Sequence, residues 1–460
     1  MPNVIVVGLS HKSAPIEVRE RLAIAPSALE DMLATVIALE PLGEVVVLST
    51  CNRTEVYAVP AVGARAADAI AAVSRLLGER GGREVIPHLT TAHGREAFRH
   101  LFRVTSSLDS LVVGEPQILG QVKEAVQVAA KAGTLGPELA TALRAAIQVA
   151  KRVRTDTAIG SGQVSVSSVA VDLARRIFDD LAGHTTLLIG AGEMAETAAK
   201  LLARGGAALL VVNRSSARAE ELAAAVGGRA RGWHELESCL LAADIVVTST
   251  ASSEPVITAN SLRRIRRARR GRSLFLIDIA VPRDIDPEAG RLDNVYLYDI
   301  DDLSHVVAES LEGRAAEAER ADAIVEEEVE RYAQRRSEEA MKPLIVALRE
   351  RTHEVISAEL DKSCRSRLKH LSENDRQALT RMVEAAVNKL LHQPVTRLKQ
   401  LAGAPGSEVA AQLVRELFDL EEALARAHER ARALALEVVD EREEEEKEEE
   451  EEEPRAAARG

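Results

Sequence analysis

Between Thr185 and Ile279 the chain alternates short β-rich apolar runs with helical sequence, and this alternation constrains the fold more than any other feature. Thr185–Ile189, Ala207–Val212, Ile245–Thr248 and Leu274–Ile279 are apolar on both faces, as strands buried under helices must be. Strand–helix–strand order then predicts a parallel sheet covered on both sides. The first run leads directly into Gly190-Ala191-Gly192-Glu193-Met194-Ala195, a G-x-G-x-x-A turn that opens a helix. In that context the first glycine allows the tight turn, and the second lets the backbone approach a pyrophosphate. The free N–H groups of the helix start then face an anion. The second run ends at Asn213-Arg214-Ser215, where a site for NAD usually carries an acidic residue for the ribose 2′-hydroxyl. A cation beside small polar groups suits a 2′-phosphate, so the expected cofactor is NADPH, held by residues 190–195 and 213–215.

The sequence before this region reads as α+β. Val4–Leu9, Glu44–Leu48 and Thr54–Val59 are strand candidates, the last alternating like a half-buried strand. Helical patterns cover Ser27–Leu39, Ala64–Leu77, Arg95–Val104, Ile118–Lys131 and Gly136–Arg154. So little chain separates the second and third strands that a tight hairpin is expected, with Cys51 at its mouth. From about Asp301 to Leu436 the pattern is helical almost throughout, with Ile324, Val325, Val329 and Tyr332 at helical spacing and Glu327 four residues before Arg331. Pro343 and Pro394 are expected to mark breaks between helices. Such stripes find burial either in another subunit or in an intrachain bundle.

Composition narrows the function classes. No apolar stretch is long enough to span a bilayer, and the N-terminus lacks the features of a secretory signal, so no membrane association is expected. The three cysteines, Cys51, Cys239 and Cys364, are too far apart for metal-ligand spacing or a disulfide framework, which implies no metal site and a reducing, cytoplasmic setting. The net charge of −13 is concentrated: Asp440–Glu453 holds twelve acidic and two basic residues, a net of −10, leaving −3 for the rest. That body tolerates a polyanionic ligand, while the acidic end reads as a disordered tail. The arginine run Arg263–Arg270 lies inside the nucleotide-binding region and reads first as a solvated helix face. With aromatics at 2%, base stacking would not dominate an RNA contact.

Cys239 and Cys364 fit the ordinary role of small, inert side chains, whereas Cys51 has polar neighbours and a cation two residues away in Arg53. From local features alone, Cys51 is equally a nucleophile or a half-buried structural residue.

Four segments carry a resemblance that goes further: Gly8-Leu9-Ser10-His11-Lys12-Ser13-Ala14-Pro15, Ser49-Thr50-Cys51-Asn52-Arg53, the fifteen residues Asp109–Lys123, and Asp278-Ile279-Ala280-Val281-Pro282-Arg283-Asp284. Together they resemble the glutamyl-tRNA reductases, in order from about Val4 to about Leu420 and excluding the acidic tail. The resemblance implies a multidomain architecture, α/β plus all-α. An α+β catalytic domain would occupy 1–157, a Rossmann-like NADPH domain 158–305, a long-helix dimerisation domain 306–436, and the tail 437–460. It implies a homodimer that reduces glutamyl-tRNA to glutamate-1-semialdehyde for tetrapyrrole synthesis and hands the aldehyde to an aminomutase. Cys51 would be the nucleophile and His100 its catalytic aid. Thr50, Asn52, Arg53, Ser110, Glu115, Pro116, Gln117 and Gln121 would surround the glutamyl group. The competing expectations are an NADP-dependent dehydrogenase of a free metabolite, which has no need of the Asp109–Lys123 segment, and a non-catalytic tRNA-binding dimer.

Overall fold

The computed structural model describes residues 4–160, 165–178, 180–303, 315–402, 406–424 and 426. The acidic tail falls outside these residues. The chain divides into two compact units, one of residues 2–329 and the other essentially Glu330–Gly460.

The first unit holds two sheets. In the first, β1 (Ile5–Ser10), β2 (Leu42–Ser49), β3 (Arg53–Pro60) and β4 (Thr90–His93) lie in the order β2-β3-β1-β4 with every neighbour antiparallel. The β2–β3 hairpin pairs Ser49 with Thr54 and closes through the Thr50 N–H on the Arg53 carbonyl, 2.8 Å, so Cys51 sits at its tip. The strands β1 to β3 match expectation. β4 was not foreseen, because its sequence, TTAH, is polar and its residues lie at the sheet edge, where alternation gives no signal. Around this sheet lie α1 (Ile16–Leu22), α2 (Leu29–Ile37), α3 (Ala66–Gly81), α4 (Arg95–Thr105), α5 (Gln117–Lys131) and α6 (Pro137–Asp156).

The second sheet is parallel throughout. Its strands are β5 (Thr185–Ile189), β6 (Ala208–Val212), β7 (Arg229–Arg231), β8 (Ile245–Thr248), β9 (Leu274–Asp278) and β10 (Val295–Tyr298), ordered β7-β6-β5-β8-β9-β10. Numbered within this sheet, the order is 3-2-1-4-5-6, the doubly wound dinucleotide-binding arrangement, whose ligand crevice opens where the order reverses, between β5 and β8. The helices of this half include α7 (Val166–Phe178), α8 (Glu193–Arg204), α9 (Ser216–Val226), α10 (Leu236–Ala242) and α11 (Ala259–Arg266). Leu188, Val211, Ile245 and Val247 pack one face of the sheet against α7 and α8, and Leu187, Ile189, Val246 and Leu276 pack the other against α10 and α11.

A 51-residue helix, Ala315–Arg365, begins in this unit. Its first turns are tied to the antiparallel domain by ion pairs of Arg99 with Glu326, Arg103 with Asp322, and Arg152 with Glu327 and Glu328. In the helical unit, Pro343 and Pro394 do not break helices as expected: they lie inside Ala315–Arg365 and Glu373–Leu401. Each loses one backbone hydrogen bond, but Met341, Leu344 and Leu348 around the first pack with Leu391, Val395 and Leu398 around the second in one buried cluster. That burial offsets the lost bonds, and the break falls instead before Ser372, whose hydroxyl caps the next helix by accepting from the Asp375 N–H. No described helix is long and apolar enough to cross a membrane.

Candidate active site

The β2–β3 hairpin tip is held from outside its own sheet. Arg19 of α1, 2% exposed, donates to the Cys51 carbonyl at 2.9 Å and to Asn52 Oδ1 at 3.3 Å, and pairs with Asp301, which also accepts the Ile16 N–H at 3.0 Å. The Cys51 side chain packs against a buried cluster that runs from Ile16, Leu111 and Val112 of the antiparallel domain into the core of the parallel-sheet domain, and Ala191 and Met194 of the glycine turn pack against the same cluster. Burial pushes the Cys51 thiol up to about 12, with the nearby Glu115 carboxylate adding to the rise and Arg19 opposing it. Arg53 contributes less than Arg19, and burial favours the neutral thiol in this state.

Arg53, Glu55 and Tyr57 lie two apart on β3 and share one face of the strand. Arg53 donates from Nη1 to Glu55 at 2.8 Å and from Nη2 to Asp109 at 3.1 Å. Glu55 also accepts from Tyr57 at 2.6 Å and lies 2.8 Å from His100 Nε2. Glu55 is fully enclosed, yet Arg53 and His100 hold its carboxyl well below the usual range, and Asp109, facing Arg53 and Lys12, is held down as well. In this state the Arg53 guanidinium is therefore engaged by two protein carboxylates. His100 is fixed by Glu55, and no hydrogen bond joins it to Cys51.

Ser110 and Glu115 are buried near this group, and Ser110 and Arg53 act to favour the ionised Glu115 carboxylate. The turn that delivers Glu115 needs Gly114 at φ +89°, where a Cβ would lie 2.0 Å from the Ile159 carbonyl oxygen. Burial pushes the Glu115 carboxyl up to about 7. Because the folded state binds this proton more tightly than an unfolded chain would, the associated stabilisation is present below the ordinary value of 4.5 and disappears as pH rises through 7. Glu115→Gln is therefore expected to melt above the native protein at pH 8 and level with it at pH 4.5. Equal gaps at both pH values would refute the assignment.

Thr50 lies at the hairpin tip, its hydroxyl accepting the Asn52 and Arg53 N–H groups at 3.1 and 3.2 Å. Pro116 is exposed, and Gln117 and Gln121 are partly exposed on α5. Pro116 and Gln117 line a cavity of about 290 Å³ with Ser165, Glu193, Thr197 and Lys200, on the side of α8.

At the β5–β8 crevice, a cavity of about 310 Å³ is lined by Gly190, Ala191, Gly192, Asn213, Arg214, Ser215, Arg218, Trp233 and Ser249–Ser252. Gly190 has φ +109°, and a Cβ there would sit 2.1 Å from the Ser249 carbonyl oxygen. Gly192 caps α8 with open space beside it, and Glu193, Met194 and Ala195 form the first turn, Ala195 fully buried against the sheet. Arg214 donates to Ser252 at 2.8 Å and lies 5.6 Å from the Trp233 ring centre. Arg218, Trp233, Thr250 and Ser252 were missed by sequence reasoning, since the turn pattern names only the first strand–helix connection. Asp278 and Asp284 are buried structural carboxylates. Asp278, pushed up to about 7 by burial and by Asp284, binds Thr248 and the Ala280 and Ile285 N–H groups, and Asp284 binds Thr250. Between them Arg283 reaches α1, donating to Glu17 at 3.0 Å and Glu20 at 2.9 Å.

Three family models match in order: glutamyl-tRNA(Glu) reductase N-terminal domain over residues 7–157, shikimate/quinate 5-dehydrogenase over 172–306, and glutamyl-tRNA(Glu) reductase dimerisation domain over 320–420. A glutamyl-tRNA reductase of Sorangium cellulosum is 56% identical over 436 residues, 91% of this chain and 82% of its own. One of Geobacter sulfurreducens is 46% identical over 423 residues, 91% and 96% of the two chains. The solved glutamyl-tRNA reductase of Methanopyrus kandleri is 34% identical, covers 91% of this chain and all of its own, and superposes with a TM-score of 0.47. Identity sustained at this level across all three regions leaves one conclusion: the chain belongs to the glutamyl-tRNA reductase family.

Proposed function

We propose that this enzyme reduces glutamyl-tRNA(Glu) to glutamate-1-semialdehyde with release of tRNA, the entry step of tetrapyrrole synthesis from glutamate. The observation that carries the reading is that Cys51, from the antiparallel domain, packs on the same core as Ala191 and Met194 of the glycine turn. The apolar packing beneath the nucleophile of one domain is thus continuous with that beneath the glycine turn of the other. Cys51 Sγ attacks the aminoacyl ester carbon and the ribose oxygen leaves with a proton, so the glutamyl group becomes a thioester. His100, oriented by Glu55, supplies or relays that proton. The family resemblance assigns Ser110, Glu115, Thr50, Asn52, Pro116, Gln117 and Gln121 to the glutamyl group, with Arg53 held behind its two carboxylates.

The crevice fits a dinucleotide, because Gly190 makes the tight turn against Ser249, Gly192 leaves open space that a side chain would fill, and the α8 N-terminus offers free donors. NADPH held there would supply a hydride for reduction of the thioester, and the Cys51 sulfur would leave as thiolate and regain a proton. Residues 190–195 would hold its pyrophosphate, and Asn213, Arg214 and Ser215 its 2′-phosphate. The exposed Val346, Val355, Met382, Leu390 and Leu413 of the helical unit supply apolar surface for a homodimer, and the product passes to an aminomutase. The enzyme works in the cytoplasm, where its three free cysteines stay reduced.

The test follows NADPH absorbance with charged glutamyl-tRNA(Glu), with glutaminyl-tRNA and with free glutamate. Oxidation only with the first is expected. In the same assay Arg214→Ala should weaken NADPH far more than NADH, and an equal loss for both would remove the 2′-phosphate assignment. Turnover of a free metabolite instead would favour a small-molecule dehydrogenase.

A further inference from the structure

Seven arginines fall within ten residues, from Arg263 to Arg272, and the structure gathers six of them around one cavity. This depression, about 540 Å³, is lined by Arg263, Arg266, Arg267, Arg269, Arg270 and Arg272, with Asp293 as its one carboxylate. It lies at the end of α11 and the N-terminal edges of β9 and β10, the opposite edge of the sheet from the Gly190 turn.

The cradle is rigid and its charge is in excess. Arg269, 5% exposed, donates to the carbonyls of Leu240 and Ala243 at 2.7 Å and of Ser273 at 2.7 Å, which pins the turn after α11 to the domain core. Three carboxylates pair with the other arginines: Glu237 with Arg264, Asp293 with Arg266 and Asp244 with Arg272. Seven arginines less three carboxylates leave four positive charges. Of the rim arginines, Arg263, Arg267 and Arg270 are exposed and have no ion pair among the described residues. In a chain of net charge −13, a fixed cationic basin of this kind attracts a polyanion, and guanidinium forks match phosphate oxygens bidentately. The surroundings contain no aromatic lining, which suits backbone phosphates rather than bases.

We propose that this arginine cradle docks the phosphodiester backbone of the tRNA, away from the acceptor end that enters the Cys51 site. The inference rests on glutamyl-tRNA being the substrate. A tRNA is far longer than the sheet is tall, about 17 Å for a five-residue strand, so one molecule can engage both places. The sequence reading, a solvated helix face, accounts for Arg264 and Arg266 but not for a pinned turn holding unpaired arginines.

The experiment measures binding of uncharged tRNA(Glu) across a salt series for the native enzyme and for Arg263→Gln/Arg267→Gln/Arg270→Gln. A variant of equal charge change, Arg75→Gln/Arg80→Gln/Arg83→Gln, serves as control. The cradle variant is expected to bind on the order of tenfold or more weakly, with the slope of log K against log salt reduced by about two to three and NADPH affinity unchanged. Unchanged tRNA affinity and slope would overturn the proposal, as would an equal loss in the control. So would cradle-dependent binding of pyrophosphate with tRNA affinity unaltered, which would mark a small-anion site. If the native enzyme binds tRNA(Glu) but does not reduce its glutamyl ester, the cradle stands and the proposed activity falls.

Discussion

Cys51→Ser loses reductase turnover by on the order of 10³-fold or more, while its affinity for NADPH stays that of the native enzyme. The serine oxygen is a far weaker nucleophile near neutral pH, and its acyl ester would be a poorer hydride acceptor than a thioester. Nothing else at the hairpin tip need change, because Arg19 holds the residue through its carbonyl oxygen rather than its side chain. Single-turnover absorbance with glutamyl-tRNA, beside a cofactor-binding titration, reads both quantities. Near-native turnover would remove the thioester from the mechanism, and joint loss of turnover and cofactor binding would point to a folding defect.

Arg53→Met destabilises the enzyme by about 3–5 kcal/mol, because it strands the buried Glu55 and Asp109 carboxylates without their shared cation. Replacing Glu55 as well, with Met at both positions, costs less than the sum of the single changes, since one stranded charge disappears with its partner. Chemical denaturation of the three variants measures this coupling. Native stability in Arg53→Met together with a raised KM for glutamyl-tRNA would show instead that the guanidinium serves the substrate carboxylate directly.

That choice was invisible in the sequence. The motif Thr50-Cys51-Asn52-Arg53 places a cation near the thiol, and the hairpin and its tip were legible because two strands stand too close for any other connection. The period-two spacing of Arg53, Glu55 and Tyr57 already put them on one strand face, a signal that sequence reasoning could have used. Asp109 and Arg19 meet this hairpin only through tertiary packing, from positions 56 and 32 residues from their partners, and no local pattern predicts such contacts. The parallel sheet was readable where strands are buried on both faces, from β5, β6, β8 and β9. The edge strands β7 and β10 were not, because RAR and VYLY are short and half wet. The two prolines misled for a related reason: a local cost was visible, while the compensating cluster is assembled from two distant helices.

Helix α1 has seven residues and belongs by sequence to the antiparallel domain, yet both of its ends are gripped from the other. Asp301 takes the Ile16 N–H and Arg19, and Arg283 takes Glu17 and Glu20. Modular exchange between relatives therefore has a hidden seam. A chimera cut between α6 and α7, where the chain looks most divisible, would inherit α1 from one parent and its anchors from the other. The backbone of Cys51 would then be registered to a foreign partner, so parents matched at residues 16–20, 283 and 301 are the ones whose halves are interchangeable.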